Sequence, residues 1–570
     1  MNPKDKTTSL NVNPSKEESA ALKTALYDFC SRGRPSSILD FPDVERILPS
    51  LPATDIYYTI QEIGLNDATD IIALASPSQI QSFLDLDIWT RDRVDLQKGF
   101  SWLNALESLT LGPFHRAVKE FDPELVAAML ARSCRIVDLT LEEEPDEPIE
   151  GPWRSPDSFY ALYPLKEESV EFYRGAARFM DKLYSVNLAL GAKTLMTARW
   201  EPIAELEESA YRWRSGRLQD FGFADYYESL QVYAPVDLQK LNINEGLPDP
   251  KPMSEEKAPS LALEEIQTEQ KTDFMGLCLK TMEDPVEIER LGHAMAGTAN
   301  RLMAADLVES PDLAEAKKYF RTARRYISLG LEYVCRSNPE LGAKALGNLT
   351  LQKLFRAGYT LTFNLRRLVE ELRKNGRLSL APRSTTLLDH PWDELAAALT
   401  QRRPELIRDF DTPPAEGRRP ISTTADVRHA ASLVEDLAMQ WPLLFETLGM
   451  NPGVLAGELP ASTVPSEPAR ITLGDLFRTS FLNHLLGRKM TLDPLSTQDL
   501  EQARKLIAKH AKTGSTLLEA ALQGVKATAK NRPLPQRPDR IVESWVSPMM
   551  ESKQKPVRVE TLTGLVLTKR

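Results

Sequence analysis

The chain has little of the residues that usually announce a chemistry. Cysteine occurs four times in 570 residues, at positions 30, 134, 278 and 335. None lies within 50 residues of another, so there is no C-x-x-C pair and no disulfide framework. Cys30, Cys134, Cys278 and Cys335 read as small core hydrophobes of a reducing compartment. The six histidines are scattered and no H-E-x-x-H occurs, so no clustered metal ligands are expected. Bases are outnumbered, 70 to 81, for a net charge of -11. That argues against a whole-protein nucleic-acid binder, and no DNA partner is expected. No run approaches the ~18 consecutive apolar residues of a membrane span. Residues Met1 to Ser19 are polar and lack the apolar core of a secretory signal, so a cytoplasmic location is expected.

The common catalytic motifs are missing too. There is no G-x-G-x-x-G, no G-x-x-x-x-G-K-[ST] and no G-x-S-x-G. Lys512-Thr513-Gly514-Ser515 matches the K-T-G box of penicillin-binding enzymes, and Ser254-x-x-Lys257 and Ser185-Val186-Asn187 imitate its companions. Their order is wrong, and Thr-Gly-Ser here separates two helical runs as a turn and cap. No catalytic residue, cofactor or metal is assigned. Whether the chain is an enzyme stays open, with the weight against it.

What is present points to helices. Apolar residues make up 42% of the chain, enough to bury several cores. Prolines outnumber glycines, 40 to 27. Many follow a capping residue and precede an apolar periodic run, as at Ser76-Pro77, Asp122-Pro123, Asp284-Pro285, Ser310-Pro311, Asn338-Pro339 and Asp493-Pro494. Proline at the first helical position loses no needed N–H, and the preceding side chain accepts from the orphan donors. A 3.6 period runs through Ala316 to Val334, Leu351 to Leu372 and Val170 to Tyr184. Strand-like alternation is rare, the best case being Val557 to Leu567.

A degenerate repeat occupies the N-terminal third. Ile56, Ile80 and Val126 take equivalent places, as do Ile60, Leu84 and Leu130, at offsets of 24 and 46 residues. Each copy is an apolar pair, a capped break and an apolar helix. One such unit cannot bury its own face, so the copies are expected to stack as a short α-solenoid.

The expected fold is therefore all-α and multi-domain. Its parts are a polar N-terminal segment (1–35), a helical-repeat domain (36–140) and an acidic linker (141–153). A helical middle domain (154–245) and a Pro/Glu-rich linker (246–262) follow. Then come a long-helix domain (263–411), a linker (412–424), a C-terminal helical domain (425–530) and a basic Pro/Arg tail (531–570). From Gly524 to Arg570 there are ten Lys/Arg against four Asp/Glu, a net +6. Such a tail suits RNA or an anionic membrane surface, though most are simply solvated.

The densest candidate site lies in Arg199 to Tyr227. It comprises Glu208, Arg212, Trp213, Arg214, Arg217, Asp225 and Tyr226. Arginines beside acids and aromatics form either a structural ion-pair network or a bidentate site for phosphate or carboxylate. The expected internal partners are Glu201, Glu205, Glu208 and Asp225. Pairing with them favours a scaffold, and free N–H groups in a concavity favour a ligand. Weaker candidates are Asn300-Arg301 with Asp306, Arg321, Arg324 and Arg325, the pair Asp389-His390 with Asp393, and Glu289 with His293.

Three strings resemble an uncharacterised bacterial family, a domain of unknown function. They are Tyr211-Arg212-Trp213-Arg214-Ser215-Gly216-Arg217-Leu218 with Gly222 to Tyr226, Ala299 to Leu302 with Ser328 to Glu332, and Leu354 to Tyr359. The resemblance spans about Leu39 to Ile507 and implies no activity. The repeats also resemble, in style, the intracellular helical N-domain of bacterial magnesium transporters, which implies a helical stack used for protein contacts. The functional expectation is a non-enzymatic interaction, scaffold or regulatory protein with a protein partner. The alternative is a binder of an anionic small ligand, or an enzyme of unrecognised type, using the arginine cluster.

Overall fold

The computed structural model describes residues 39, 44–220, 226–247, 258–267, 272–282, 284–308, 311–379, 387–413, 415–456, 463–465, 471–513, 516–530, 532, 534, 537–550 and 566–568. Among them the structure is mostly helical, with a few short antiparallel strands. No described helix is long and apolar enough to cross a membrane. The chain divides into two compact units, 1–358 and 359–570.

Capped prolines start helices at Pro77, Pro123, Pro285 and Pro339, with Ser76, Asp122, Asp284 and Asn338 accepting from backbone N–H groups. Two starts differ from expectation. After Pro311, Asp312 is the cap and the helix begins at Leu313, because its carboxylate reaches the Glu315 amide. After Pro494 the helix begins at Thr497, with Ser496 and Asp499 exchanging hydrogen bonds.

The three repeat positions carry helices of eleven residues each: Ala53–Ile63, Pro77–Asp87 and Pro123–Ser133. Ile56, Ile80, Val126, Ile60, Leu84 and Leu130 are all buried. Buried glutamines tie these segments to one another. Gln79 donates to the Leu48 and Leu51 carbonyls (3.0 and 2.8 Å), and Gln81 accepts from the Asp122 amide (3.1 Å). These are backbone groups at element ends, which must find partners when buried.

The remainder of the N-terminal unit adds a sheet and long helices. Cys134–Asp138 and Trp153–Arg154 flank Tyr160–Pro164 in an antiparallel sheet. The acidic segment between them is held by ion pairs, Glu142 with Arg199, Glu144 with Arg154 and Glu150 with Arg174. The helix Leu313–Val334 crosses Leu351–Lys374 with almost no gap. A Cβ on Gly330 would sit 2.0 Å from the Leu354 carbonyl oxygen, and one on Gly358 would sit 2.1 Å from that of Tyr326. Only glycine permits that approach.

The C-terminal unit packs Leu473–Leu485 and Pro538–Met550 around the Phe477 and Trp545 rings, which are tilted at 36° with centroids 5.0 Å apart. Two-stranded ribbons pair Glu405–Ile407 with Arg418–Pro420 and Thr463–Pro465 with Val566–Thr568. The second ribbon contains the end of the strand expected near the C-terminus. Residues 557–565 and most of the basic tail lie outside the described residues, as does Cys30. Cys134, Cys278 and Cys335 are buried free thiols. Burial pushes Cys335 up to about 11, so it stays an unreactive thiol.

Candidate functional site

The candidate arginines lie on the helix Ile203–Asp220. At 100° per residue, Ala204, Glu207, Tyr211, Arg214 and Leu218 form one stripe. That stripe forms one wall of a cavity of about 1230 Å³ in the N-terminal unit. Glu208 and Arg212 line its edge from the neighbouring stripe. Trp213 falls on the opposite side of the helix and does not line the cavity; it is 62% exposed.

Other walls come from distant sequence. Tyr57 and Tyr58 lie on the helix Ala53–Ile63, and Trp89, Arg91, Asp92 and Arg93 on a tight hairpin. Tyr226 to Glu228 and Met303 to Val308 complete it. Arg132 sets the hairpin against the helix, donating to the Val94 carbonyl (2.7 Å) and to Glu207 (3.0 Å). Two wall residues, Arg91 (φ 58°) and Leu307 (φ 57°), hold left-handed backbone conformations that non-glycine residues rarely adopt. Such local strain clusters at functional sites.

The three arginines separate into three roles. Arg217 is structural. Its Nε and Nη2 grip both Asp85 oxygens (2.6 and 2.9 Å), and Nη2 also reaches Asp122 (3.3 Å). Both carboxylates are buried, so they need that cation. Burial would lower the Arg217 pKa, but the hydrogen bonds and charge of Asp85, then Asp122, outweigh it and raise it. Burial, a hydrogen bond with Glu124 and the charge of Glu124 hold Asp122 up to about 6 against the opposing Arg217 charge.

Arg212 pairs with Glu208 at 3.2 Å, in the expected i, i+4 order, but both side chains are more than 70% exposed. That pair contributes little. Arg214 is different. Its Nε donates to the Asp85 carbonyl (2.7 Å), and its guanidinium lies over the rings of Trp89 (5.3 Å) and Tyr211 (5.8 Å). Its terminal nitrogens have no acceptor among the described residues. Burial pulls its pKa below the ordinary arginine value, against the Asp85 charge.

The donors around Arg214 outnumber their acceptors. Glu207 is matched by Arg132, Glu208 by Arg212 and Glu228 by Arg301. Arg91 and Arg93 line the cavity with no ion pair among the described residues. Trp89 is 4% exposed and its Nε1–H, a donor only, has no acceptor there either. Asp92 is the one carboxylate of the wall without an ion pair among the described residues. Tyr58 adds no charge, since burial and then Asp55 raise its phenol above the ordinary range.

The expected pairing therefore holds only at Glu208. Arg217 reaches instead to Asp85 and Asp122 in the repeat segment, because burial there leaves two carboxylates needing a cation. Asp225 lies outside the described residues. Trp89, Arg91 and Arg93 were not anticipated, and Tyr227 lay in the candidate segment without being named in the site. The one sequence signal for them is Arg-Asp-Arg following an aromatic residue.

Most of the weaker candidates are occupied structurally; Arg325 instead lies over the Tyr326 ring (5.1 Å), with no acceptor for its Nε among the described residues. Arg301 binds Gln352 and Glu228, Asp306 accepts from Tyr233 and Tyr319, and Arg324 grips Asp273. Asp389 accepts from the Gly474 amide (2.8 Å) and Arg478 (2.8 Å), while exposed His390 lies 3.4 Å from Asp409. His293 sits 4.0 Å from Glu289. No group of potential metal ligands occurs among the described residues.

The chain is thus a helical protein with a donor-rich, aromatic-walled cavity. It belongs to a family of unknown function (DUF6178), whose model matches residues 17–568. No curated protein and no solved structure matches it.

Proposed function

We propose that this protein binds an anionic small ligand in the cavity of its N-terminal unit, with Arg214 as the anchor. The observation that carries the reading is the state of that side chain. Its Nε is tied to the Asp85 carbonyl and its plane rests on Trp89 and Tyr211, while its terminal nitrogens have no acceptor among the described residues. A guanidinium held this way has little orientation left to lose on binding, and its fork fits two oxygens of a phosphate or carboxylate. Arg91 and Arg93 line the same cavity and add two further guanidinium groups.

The test is thermal melting and calorimetric titration of the full chain with inorganic phosphate, pyrophosphate, citrate and mononucleotides. A ligand at about one hundred times its Kd stabilises the folded state by about 2.7 kcal/mol. At least one anion should do so, and Arg214→Gln, with an unchanged far-UV spectrum, should abolish the effect. If none of these anions shifts the melting curve, the reading fails.

A second reading is a cytosolic interaction or scaffold protein. The three eleven-residue helices, tied copy to copy by Gln79 and Gln81, support a short α-solenoid like that of the magnesium-transporter N-domain. The exposed Trp213 ring supports a contact surface, because tryptophan dominates binding energy in protein interfaces.

A further inference from the structure

We infer that the ligand is an aromatic ring carrying a phosphate, of the class of nucleoside monophosphates. This rests on the anion-binding reading and adds the second half of the ligand.

The cavity has room for more than an anion. Its volume of about 1230 Å³ is far larger than a phosphate ion fills. An inorganic phosphate on Arg214 would leave most of it to water. The walls also differ in kind. The donors gather around Trp89, Arg91, Arg93 and Arg214. Elsewhere the wall is Tyr226, Tyr227, Met303, Leu307 and Val308, with no cation.

The tyrosines favour a flat ring over an aliphatic chain. Tyr227 is 79% exposed and packs edge-on against Tyr226, with ring centroids 5.3 Å apart and planes at 68°. Edge-on packing leaves a ring face without a stacking partner. The faces of Trp89 and Tyr211 already carry the Arg214 guanidinium. Base stacking on an exposed aromatic ring contributes substantially and tolerates any base, because each base has a π-face. Arginine donors replace the glycine-rich phosphate loop that the sequence lacks.

The experiment is calorimetric titration of the full chain with adenosine 5′-monophosphate, uridine 5′-monophosphate, adenosine and inorganic phosphate. Wild type, Tyr227→Ala, Tyr227→Phe and Arg214→Gln are compared, each checked by its melting curve. The expected result is a monophosphate bound at least about tenfold more tightly than phosphate or nucleoside. Tyr227→Ala should remove that advantage and leave phosphate affinity unchanged, while Tyr227→Phe keeps it. Arg214→Gln should weaken monophosphate and phosphate alike. If phosphate binds as tightly as the monophosphates, or Tyr227→Ala changes nothing, the ring is not recognised and this inference falls while the anion reading stands. If adenosine binds as well as its monophosphate and Arg214→Gln has no effect, or if nothing binds, both fall.

Discussion

Removing the Arg217 guanidinium is the sharpest test of how the cavity wall is held. Three hydrogen bonds end there, two on Asp85 and one on Asp122. The side chain of Asp85 is 0% exposed and that of Asp122 4%, while that of Arg217 is 32% exposed. Breaking a fully buried pair by deleting one partner costs about 3–5 kcal/mol, most of it from the charge left behind. Partial exposure of the cation reduces what its loss removes, which gives about 2–4 kcal/mol for Arg217→Met. Hydrogen exchange with mass spectrometry reads this locally. Amides of Pro77–Asp87 and Pro123–Ser133 should exchange on the order of 30- to 1000-fold faster, at a factor of ten per 1.4 kcal/mol. Helices of the C-terminal unit should not change. Adding Asp85→Asn to Arg217→Met should restore much of the protection, because the stranded charge is gone. A single variant with less than a threefold effect, or a double variant no better than the single, would refute the view that Arg217 serves buried carboxylates.

Two further outcomes follow from the same geometry. Asp122 has a folded-state pKa near 6 against an ordinary 3.8, so its contribution is complete below pH ~4 and lost as pH rises through about 6. Asp122→Asn keeps the helix cap but cannot titrate, so wild-type stability minus that of the variant should fall across this window in urea titrations run from pH 4 to 7. Gly330→Ala puts a methyl group against the Leu354 carbonyl and should cost about 3 kcal/mol of unfolding free energy in urea titrations; adding Gly358→Ala should cost less than the sum of the singles, because both act at one crossing.

The local layer of this fold was legible in the sequence. Capping residues before Pro77, Pro123, Pro285 and Pro339 set helix starts because the cap is a contact of two or three residues' reach. Apolar spacing located the three eleven-residue helices Ala53–Ile63, Pro77–Asp87 and Pro123–Ser133, because their isoleucines and leucines are buried. The strand Tyr160–Pro164 was not legible. All five of its residues are buried, so it lacks the alternation that marks a half-exposed strand. The site was half legible. Clustered arginines and aromatics located the helix Ile203–Asp220, but local spacing gave Glu208 as a partner and missed Asp85, 132 positions away from Arg217. A long-range ion pair is chosen by which carboxylates the core strands without water, and that depends on packing rather than spacing. The hairpin Trp89–Val94 escaped for a related reason, since its turn uses a non-glycine residue at positive φ.

The Arg217 junction also has a consequence for how the chain is made. Asp85 and Asp122 leave the ribosome before their cation does, separated from it by at least 95 residues. At about 5–20 residues per second, that is a delay of roughly 5–19 s during which two carboxylates have no counterion. Burying both carboxylates in their charged form is costly until the helix Ile203–Asp220 arrives, so packing of Pro77–Asp87 and Pro123–Ser133 is expected to tighten only then, which limited proteolysis of stalled chains would read. The last wall of the cavity, Met303 to Val308, comes later still. The cavity wall is therefore complete only after more than half of the chain has been synthesised.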